Sequence, residues 1–298
     1  MDSTTTSPAG TTEWIDGPDG VSFFTKRWQA EHPKANVVFC HGIIEHVERY
    51  DYFFSSLANR GITTFAFDQR GWGRTAQKTN TEGITDLKRQ LKDLEFFLAR
   101  ELNTYNPEKL FLFGHSMGGG IVMQYACTES LQRPSLSKLA GIISSSPITV
   151  QPPDTRVGKV TLYAGALLGR LLPSLQMKID IKGTDLSHDQ AVVDEYLKDP
   201  LCPPIATYKQ LADMFFGGEA LLSKTYKTYP SELPLLIYHG SEDKVTWHEA
   251  SKQLVDKITA SNKTFTSYEG YYHECHNEPG DMKERVIDDV SAWILKRA

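Results

Sequence analysis

Residues 111–120 read FLFGHSMGGG, and residues 121–126 continue IVMQYA. An apolar run suited to a buried strand leads straight into Gly-His-Ser-Met-Gly, and a good helix start follows. A serine hydroxyl is a weak nucleophile and must be held exposed beside a base. A sharp strand-to-helix turn presents Ser116 in that way, and its tight backbone asks for glycine two positions before and two after, at Gly114 and Gly118. The helix behind the turn offers orphan N–H groups and the positive end of its dipole. A Gly-rich turn with an ordinary surface serine would share the five-residue pattern, but not its strand and helix flanks. Serine rather than aspartate at this point implies an acyl-enzyme, hence cleavage of an ester, thioester or amide.

Outward from this turn, short apolar runs alternate with helical patterns. Strands are predicted at 21–28, 36–40, 63–67, 109–113, 140–145, 235–238 and 264–268, and the first follows a Gly-Pro-Asp-Gly turn in hairpin fashion. Helices are predicted at 52–60, 87–102, 248–259 and 284–297. Continuous apolar strands separated by helices predict a mostly parallel α/β sheet covered on both faces, with its site outside the carboxyl ends of the strands. The rhythm breaks at 148–229, where no buried strand is evident and three helical stretches follow one another. This segment reads as an inserted helical cap on a core formed by 13–147 and 230–298. Residues 1–12, MDSTTTSPAGTT, read as a disordered tail without the apolar centre of a signal peptide.

Bulk properties exclude several classes. A net charge of −5 provides no basic stripe for nucleic acid. No run of eighteen apolar residues appears, so no membrane span is expected. The four cysteines are scattered and form no CxxC pair, which argues against a disulfide framework or a structural zinc site.

Acyl-enzyme chemistry needs two N–H donors aimed at the oxyanion. Met117, after the nucleophile, supplies one, and Ile43, in the loop His41-Gly42-Ile43-Ile44-Glu45-His46 after an early strand, is the candidate for the other. The acid belongs after a late strand, where LLIYHGSEDKV carries Asp243, with Glu242 as fallback. The base belongs in the following loop, GYYHECHNEP, where His273 and His276 both qualify by position. The two histidines are i, i+3 rather than the i, i+4 of a helical zinc pair and have no partner ligand pair, so no metal is expected.

Taken together, HGIIEHVERY, FAFDQRGWGRT, FLFGHSMGGG, DLSHDQAVVDEYLKDPL, IYHGSEDKV and GYYHECHNEP resemble the monoacylglycerol lipase and lysophospholipase-like branch of the α/β-hydrolases, in that family's order from about His41 to Glu278. The resemblance implies an α/β-hydrolase fold with a mobile helical cap and cofactor-free hydrolysis of monoacylglycerols to fatty acid and glycerol. It implies Ser116 as nucleophile, Asp243 as acid, His273 as base, and Ile43 and Met117 as oxyanion donors. It places Glu45, Arg49, Tyr196 and His276 near the glycerol head group. Asp68, Arg70, Gly71 and Gly73 match as a structural turn. Ile44 departs from the pattern, which often has glycine there, so a narrowed site or shifted loop is expected. Lysophospholipase, short-chain esterase and thioesterase activities on the same residues are the alternatives, with a non-catalytic hydrolase-like binding protein as a third class. A cytoplasmic protein, peripheral on membranes or lipid droplets, is the matching location.

The cap stretch 157–172 carries Leu162, Tyr163, Ala166, Leu167, Leu171 and Leu172 at near-helical spacing. Leu167 and Leu171 are therefore candidates for lining an acyl tunnel and for touching a lipid surface. A helix packed on its own core would have the same pattern.

Overall fold

Eight strands of the computed structural model, which describes residues 10–128, 133–179 and 181–298, hydrogen-bond into one sheet. They are β1 (Thr11–Asp16), β2 (Ser22–Trp28), β3 (Ala35–Cys40), β4 (Ile62–Phe67), β5 (Leu110–His115), β6 (Leu139–Ser145), β9 (Leu235–Gly240) and β10 (Lys263–Tyr268), in the order β1-β2-β4-β3-β5-β6-β9-β10. The β1–β2 hairpin and the β2–β4 pair are antiparallel, and every other pair is parallel. All seven expected strands are present. Their continuous apolar runs are explained by burial on both faces: every residue of β4, β5 and β9 is buried.

Helices cover both sides. On one face α1 (Asp51–Asn59) and α9 (Asp281–Leu295) bury Phe53, Phe54, Val286 and Ile287 against Phe39, Phe113 and Tyr238. On the other, α3 (Leu87–Tyr105), α4 (Met117–Cys127) and α8 (His248–Lys257) pack Leu94, Phe97, Val122 and Leu254 against Phe65, Leu112 and Ile237. A short α2 (Gly73–Gln77) follows the Asp68 turn. There the Asp68 carboxylate accepts from the N–H groups of Val47 (2.8 Å) and Arg74 (2.7 Å), and Gly73 at φ +56° leaves no room for a Cβ beside it. The turn is structural, as expected.

The segment 148–229 carries α5 (Lys159–Leu171), α6 (Gln190–Lys198) and α7 (Tyr208–Ser223) and lies outside the main sheet. It also contains a two-stranded antiparallel ribbon, β7 (Gln176–Lys178) with β8 (Ile205–Thr207), which the sequence did not announce because three-residue strands are too short to show a period. Four polar contacts fasten the α6 side of this segment to the core. His46 Nε2 bonds Asp199 (2.7 Å), His188 Nδ1 bonds Glu278 (2.9 Å), Ser187 Oγ donates to the Asn277 carbonyl (2.8 Å), and Glu274 N–H donates to the Leu186 carbonyl (2.8 Å). The DLSHD and DPL motifs thus tie the segment to the core, and Asp189 also caps α6.

The expected tail is corrected at its end. Residues 1–9 lie outside the described residues, but Thr11 and Thr12 open β1, paired with Arg27 and Lys26. β-branched threonines suit a strand once a partner edge is available.

Backbone approaches backbone closely where α4 meets the end of β3. A Cβ on Gly118 would overlap the carbonyl oxygens of Cys40 and His41, whereas one on Gly158 would meet nothing within 4 Å. Gly118→Ala should therefore lower stability by about 2–3 kcal/mol in urea denaturation, while Gly158→Ala should change it by less than about 0.5 kcal/mol.

Candidate active site

Ser116 sits between β5 and α4 at φ 55°, ψ −116°, a strained conformation for a residue with a side chain. Backbone bonds hold it there. Its N–H donates to the Ser145 carbonyl (2.9 Å), and its carbonyl accepts from Gly120 (3.0 Å) and Ile148 (3.0 Å). Ser116 Oγ lies 2.8 Å from His273 Nε2, and His273 Nδ1 lies 2.7 Å from Asp243 Oδ2. Three loops after β5, β9 and β10 thereby bring one serine, one acid and one imidazole into a chain of hydrogen bonds. The loop holding His273 is pinned by Ser146 Oγ, which donates to the His273 carbonyl (3.0 Å). Glu242, the fallback acid, is exposed. His276, the other candidate base, is packed among Tyr50, Phe53 and His115 instead.

The electrostatics follow from burial and partners. Burial opposes the charge on Asp243, yet His273 and His239 and their hydrogen bonds hold its carboxyl well below the usual range. Burial also opposes protonation of His273, but the Asp243 charge and hydrogen bond, with Glu274 and Glu45, raise its pKa above the ordinary 6.5. His115 beside it is pushed well below by burial and by the neighbouring His273. Burial depresses His276 to about 4.

A second cluster of charges lies behind the serine. Arg49 holds Glu274 through two bonds of 2.7 and 2.9 Å and stacks 4.8 Å from the Tyr196 ring centre. Tyr50 donates its hydroxyl to Glu45. Although burial opposes the charge on Glu274, Arg49 holds it down, whereas burial pushes Glu45 up. In the chain, Glu274 stands between the two candidate histidines of GYYHECHNEP. Its partner is 225 residues away, so no local spacing could reveal the pair.

The loop after β3 is organised by His41. Its Nδ1 bonds the Gly42 carbonyl (2.8 Å), its Nε2 accepts the Gln69 N–H (2.9 Å), and Gln69 Nε2 donates to the His41 carbonyl (2.6 Å). Burial keeps this imidazole neutral, with a pKa near 3. The anchored turn brings Ile43 to the cavity that Ser116 also lines. Met117 opens α4, so its N–H has no intrahelical acceptor. Ile44 is fully buried in the core and adopts φ +54°, the left-handed region that favours glycine. The departure at this position therefore costs backbone strain, while the side chain points into packing and is absent from the cavity lining.

The cavity beside Ser116 has a volume of about 270 Å³ and is lined by Ile148, Ile179, Ile181, Leu211, Met214, Phe215 and Val245, with Lys182, Asp185 and Lys244 also on its wall. A narrower part beside it is bounded by Ser116, Glu45, Leu186, Tyr196, His273 and Glu274. Glu45 and Tyr196 thus line the space beside Ser116. Arg49 and His276 are not on these walls: Arg49 is committed to Glu274, and His276 is stacked on Tyr50 at 4.8 Å between ring centres. Leu167 and Leu171 are also displaced from a lining role. They are 60% and 69% exposed, because α5 packs on α7, where Gly169 meets Tyr208 and Lys209, and turns its other apolar face outward. The cavity wall comes from α7 with Ile179 and Ile181.

Among the described residues, one group of side chains could share a metal ion: His46, Asp199 and Cys202, with ligand atoms within 4.8 Å. His46 is already bonded to Asp199, and burial pushes the Cys202 thiol up, away from the thiolate a metal prefers. In the HECH stretch, Cys275 Sγ points to the Tyr272 carbonyl (3.5 Å), and His273 is engaged by Ser116 and Asp243.

Comparison with known proteins places this geometry. A family model described as serine aminopeptidase, S33 (Hydrolase_4) matches residues 31–280. The chain belongs to that family. Among S33 relatives, a putative monoglyceride lipase of Schizosaccharomyces pombe is 34% identical over 92% of this chain and 71% of its own length. The monoglyceride lipase of Saccharomyces cerevisiae is 28% identical over 93% of this chain and 91% of its own. A crystal structure of a soluble variant of the S. cerevisiae monoglyceride lipase with a substrate analog superposes with a TM-score of 0.86 at 25% identity, covering 97% of both chains. The S33 fold seen here is thus that of the α/β-hydrolase lipases. No helix among the described residues is long and apolar enough to cross a membrane.

The buried Arg49–Glu274 pair generates a prediction. Arg49→Met should destabilise the protein by about 3–5 kcal/mol in chemical denaturation, because it strands a buried carboxylate. Combining it with Glu274→Gln should restore part of that loss.

Proposed function

We propose that this chain is a serine hydrolase that cleaves monoacylglycerols to fatty acid and glycerol through an acyl-enzyme. The observation that carries the reading is the Ser116–His273–Asp243 hydrogen-bond chain at the wall of a largely apolar cavity. The names of the S33 relatives support the substrate class.

Ser116 Oγ attacks the ester carbonyl as His273 Nε2 takes its proton. Asp243 stays ionised, fixes the imidazole with its Nε2 lone pair toward Ser116, and stabilises the imidazolium. The N–H groups of Ile43 and Met117 receive the oxyanion. The tetrahedral intermediate collapses, and the C–O bond to glycerol breaks as His273 returns the proton to the departing oxygen. Water then repeats the sequence on the acyl-enzyme and releases the fatty acid. The acyl chain lies against Ile179, Ile181, Leu211, Met214 and Phe215, and each buried CH₂ contributes about 0.8 kcal/mol. Glu45 and Tyr196 bound the space for the glycerol hydroxyls. Lys182 and Lys244 on the cavity wall favour a second reading, a lysophospholipid whose phosphate meets these lysines.

The exposed apolar side chains of α5, namely Val160, Tyr163, Leu167 and Leu171, supply a surface for peripheral docking on lipid. The four cysteines are buried and unpaired, which suits a reducing, cytoplasmic compartment.

Ser116→Ala should abolish turnover and fluorophosphonate labelling; retained turnover would sink the mechanism. A panel of mono-, di- and triacylglycerols beside a lysophospholipid separates the two substrates, with monoacylglycerol expected to be cleaved fastest. His273 must be neutral to act as base, and its pKa lies above the ordinary value. The acid limb of kcat/KM should therefore have its midpoint above about 6.5, activity being lost as pH falls through it. Leu167→Ser with Leu171→Ser should weaken binding to lipid vesicles while leaving hydrolysis of a short soluble ester within about twofold. Equal loss on both would exclude a docking role for α5.

A further inference from the structure

The acid of the proposed triad is bonded by a second histidine. His239, the fifth residue of β9, is fully buried, and its Nε2 lies 2.9 Å from Asp243 Oδ2, the oxygen that His273 Nδ1 approaches at 2.7 Å. The tautomer of His239 follows from its surroundings. Burial holds it neutral. A lone pair on Nε2 would face a carboxylate, so Nε2 carries the proton and Nδ1 accepts from the Ser251 hydroxyl of α8 at 2.8 Å.

Asp243 is consequently surrounded by donors. Oδ1 accepts from the N–H groups of Val245 (2.7 Å) and Thr246 (3.0 Å). Oδ2 faces His273, His239 and the Thr246 hydroxyl, the last also at 2.9 Å. A carboxylate oxygen has two lone pairs, so three donors at one oxygen share it. The donor on His239 draws on the same electron density that binds His273.

We propose that His239 is a positioning residue for the ester hydrolysis: by donating to Asp243 Oδ2, it fixes the acid and limits how firmly that acid holds the proton on His273. The inference rests on the triad reading above and adds a residue to it. Without the His239 donor, the Asp243 charge is concentrated toward His273, and the imidazolium is stabilised. The base then stays protonated to higher pH. Other charged and titratable groups also face this pair: Glu45 and Glu274 act on His273, the His115 ring lies 4.8 Å from it, and the His248 ring lies 5.6 Å from His239. His248 packs against His239 itself, so the comparison of two substitutions at His239, one with and one without a donor, separates the donor from these neighbours.

The test compares His239→Leu, which removes the donor, with His239→Gln, which keeps an N–H donor at similar reach. Both are measured against the parent on a short soluble ester across pH, with the thermal midpoint recorded in parallel. For His239→Leu the acid limb of kcat/KM should move up by about half a unit or more, with kcat down about tenfold and KM little changed. His239→Gln should restore the limb to the parent's position. If His239→Leu does not fold, Ser251→Ala serves, since it frees the tautomer; its limb should move in the same direction by a smaller amount. Acid limbs that coincide for the parent and for whichever donor-removing variant folds would overturn the inference, as would equal displacement by Leu and Gln. Ser116→Ala separates the two levels. If it still turns over ester, the triad itself fails; if it is dead and the limbs coincide, only the role of His239 fails.

Discussion

The arrangement at Ser116 depends on one close approach of backbone to backbone. The first turn of α4 lies against the last carbonyls of β3, and Gly118 is the residue that allows it. The same crowding recurs at Gly114, where a Cβ would overlap the Gly118 carbonyl, and at Gly119, where the Ser144 hydroxyl and the Ser145 carbonyl intrude. Side chains at any of these points would push α4 off the sheet. Because they are missing, the Ser116 turn is held between β3 and β6 and keeps a positive φ that no serine adopts freely. The strain is local, and the bonds to Ser145, Gly120 and Ile148 distribute it over the sheet.

Around that turn the protein buries charge to an unusual extent, and each charge has a partner. Asp243 is met by donors on both oxygens, Glu274 by Arg49, and Asp68 by two backbone N–H groups. The groups differ in consequence. Asp243 is held ionised, whereas burial lifts Asp68 to about 7, because backbone donors alone offset less of the desolvation than imidazoles and backbone together. The carboxylate that holds the catalytic imidazole thus stays charged, and one in the supporting turn titrates near neutrality.

Much of this was legible in the chain. The strands are short, continuous apolar runs, and their alternation with helices implied a mostly parallel sheet. The positions of Ser116, Asp243 and His273 follow from which strand each loop succeeds, and the structure brings the three side chains within hydrogen-bond reach of one another. What escaped was whatever depends on packing between distant segments. Periodicity does not tell the exposed side of α5 from its buried side, so Leu167 and Leu171 are candidates for the lining and for a lipid surface alike, whereas α7 with Ile179 and Ile181 supplies the wall. The commitment of Arg49 to Glu274 and the stacking of His276 on Tyr50 needed three-dimensional neighbours. Ile44 was visible as a departure, but only its φ of +54° gives the departure a physical meaning.

The histidines that build this region have a collective effect on acid tolerance. His41, His46, His115, His239 and His276 are all buried, and burial lowers the proton affinity of each below the ordinary 6.5. Unfolding exposes them, and below that pH they take up protons they had been denied. Each such group tilts the folding equilibrium by up to about 1.4 kcal/mol per pH unit. The stabilisation is complete above 6.5 and drains away as acidity rises toward the folded-state values, which are about 4 for His276 and about 3 for His41. His273, raised by Asp243, works in the opposite sense. So do the carboxyls of Glu45, Asp68 and Asp93, which burial lifts to about 7, 7 and 6: the protons they release on unfolding offset part of the histidine uptake between pH 7 and 5. The imidazoles that shape the site thus carry an acid sensitivity that its own buried carboxyls temper.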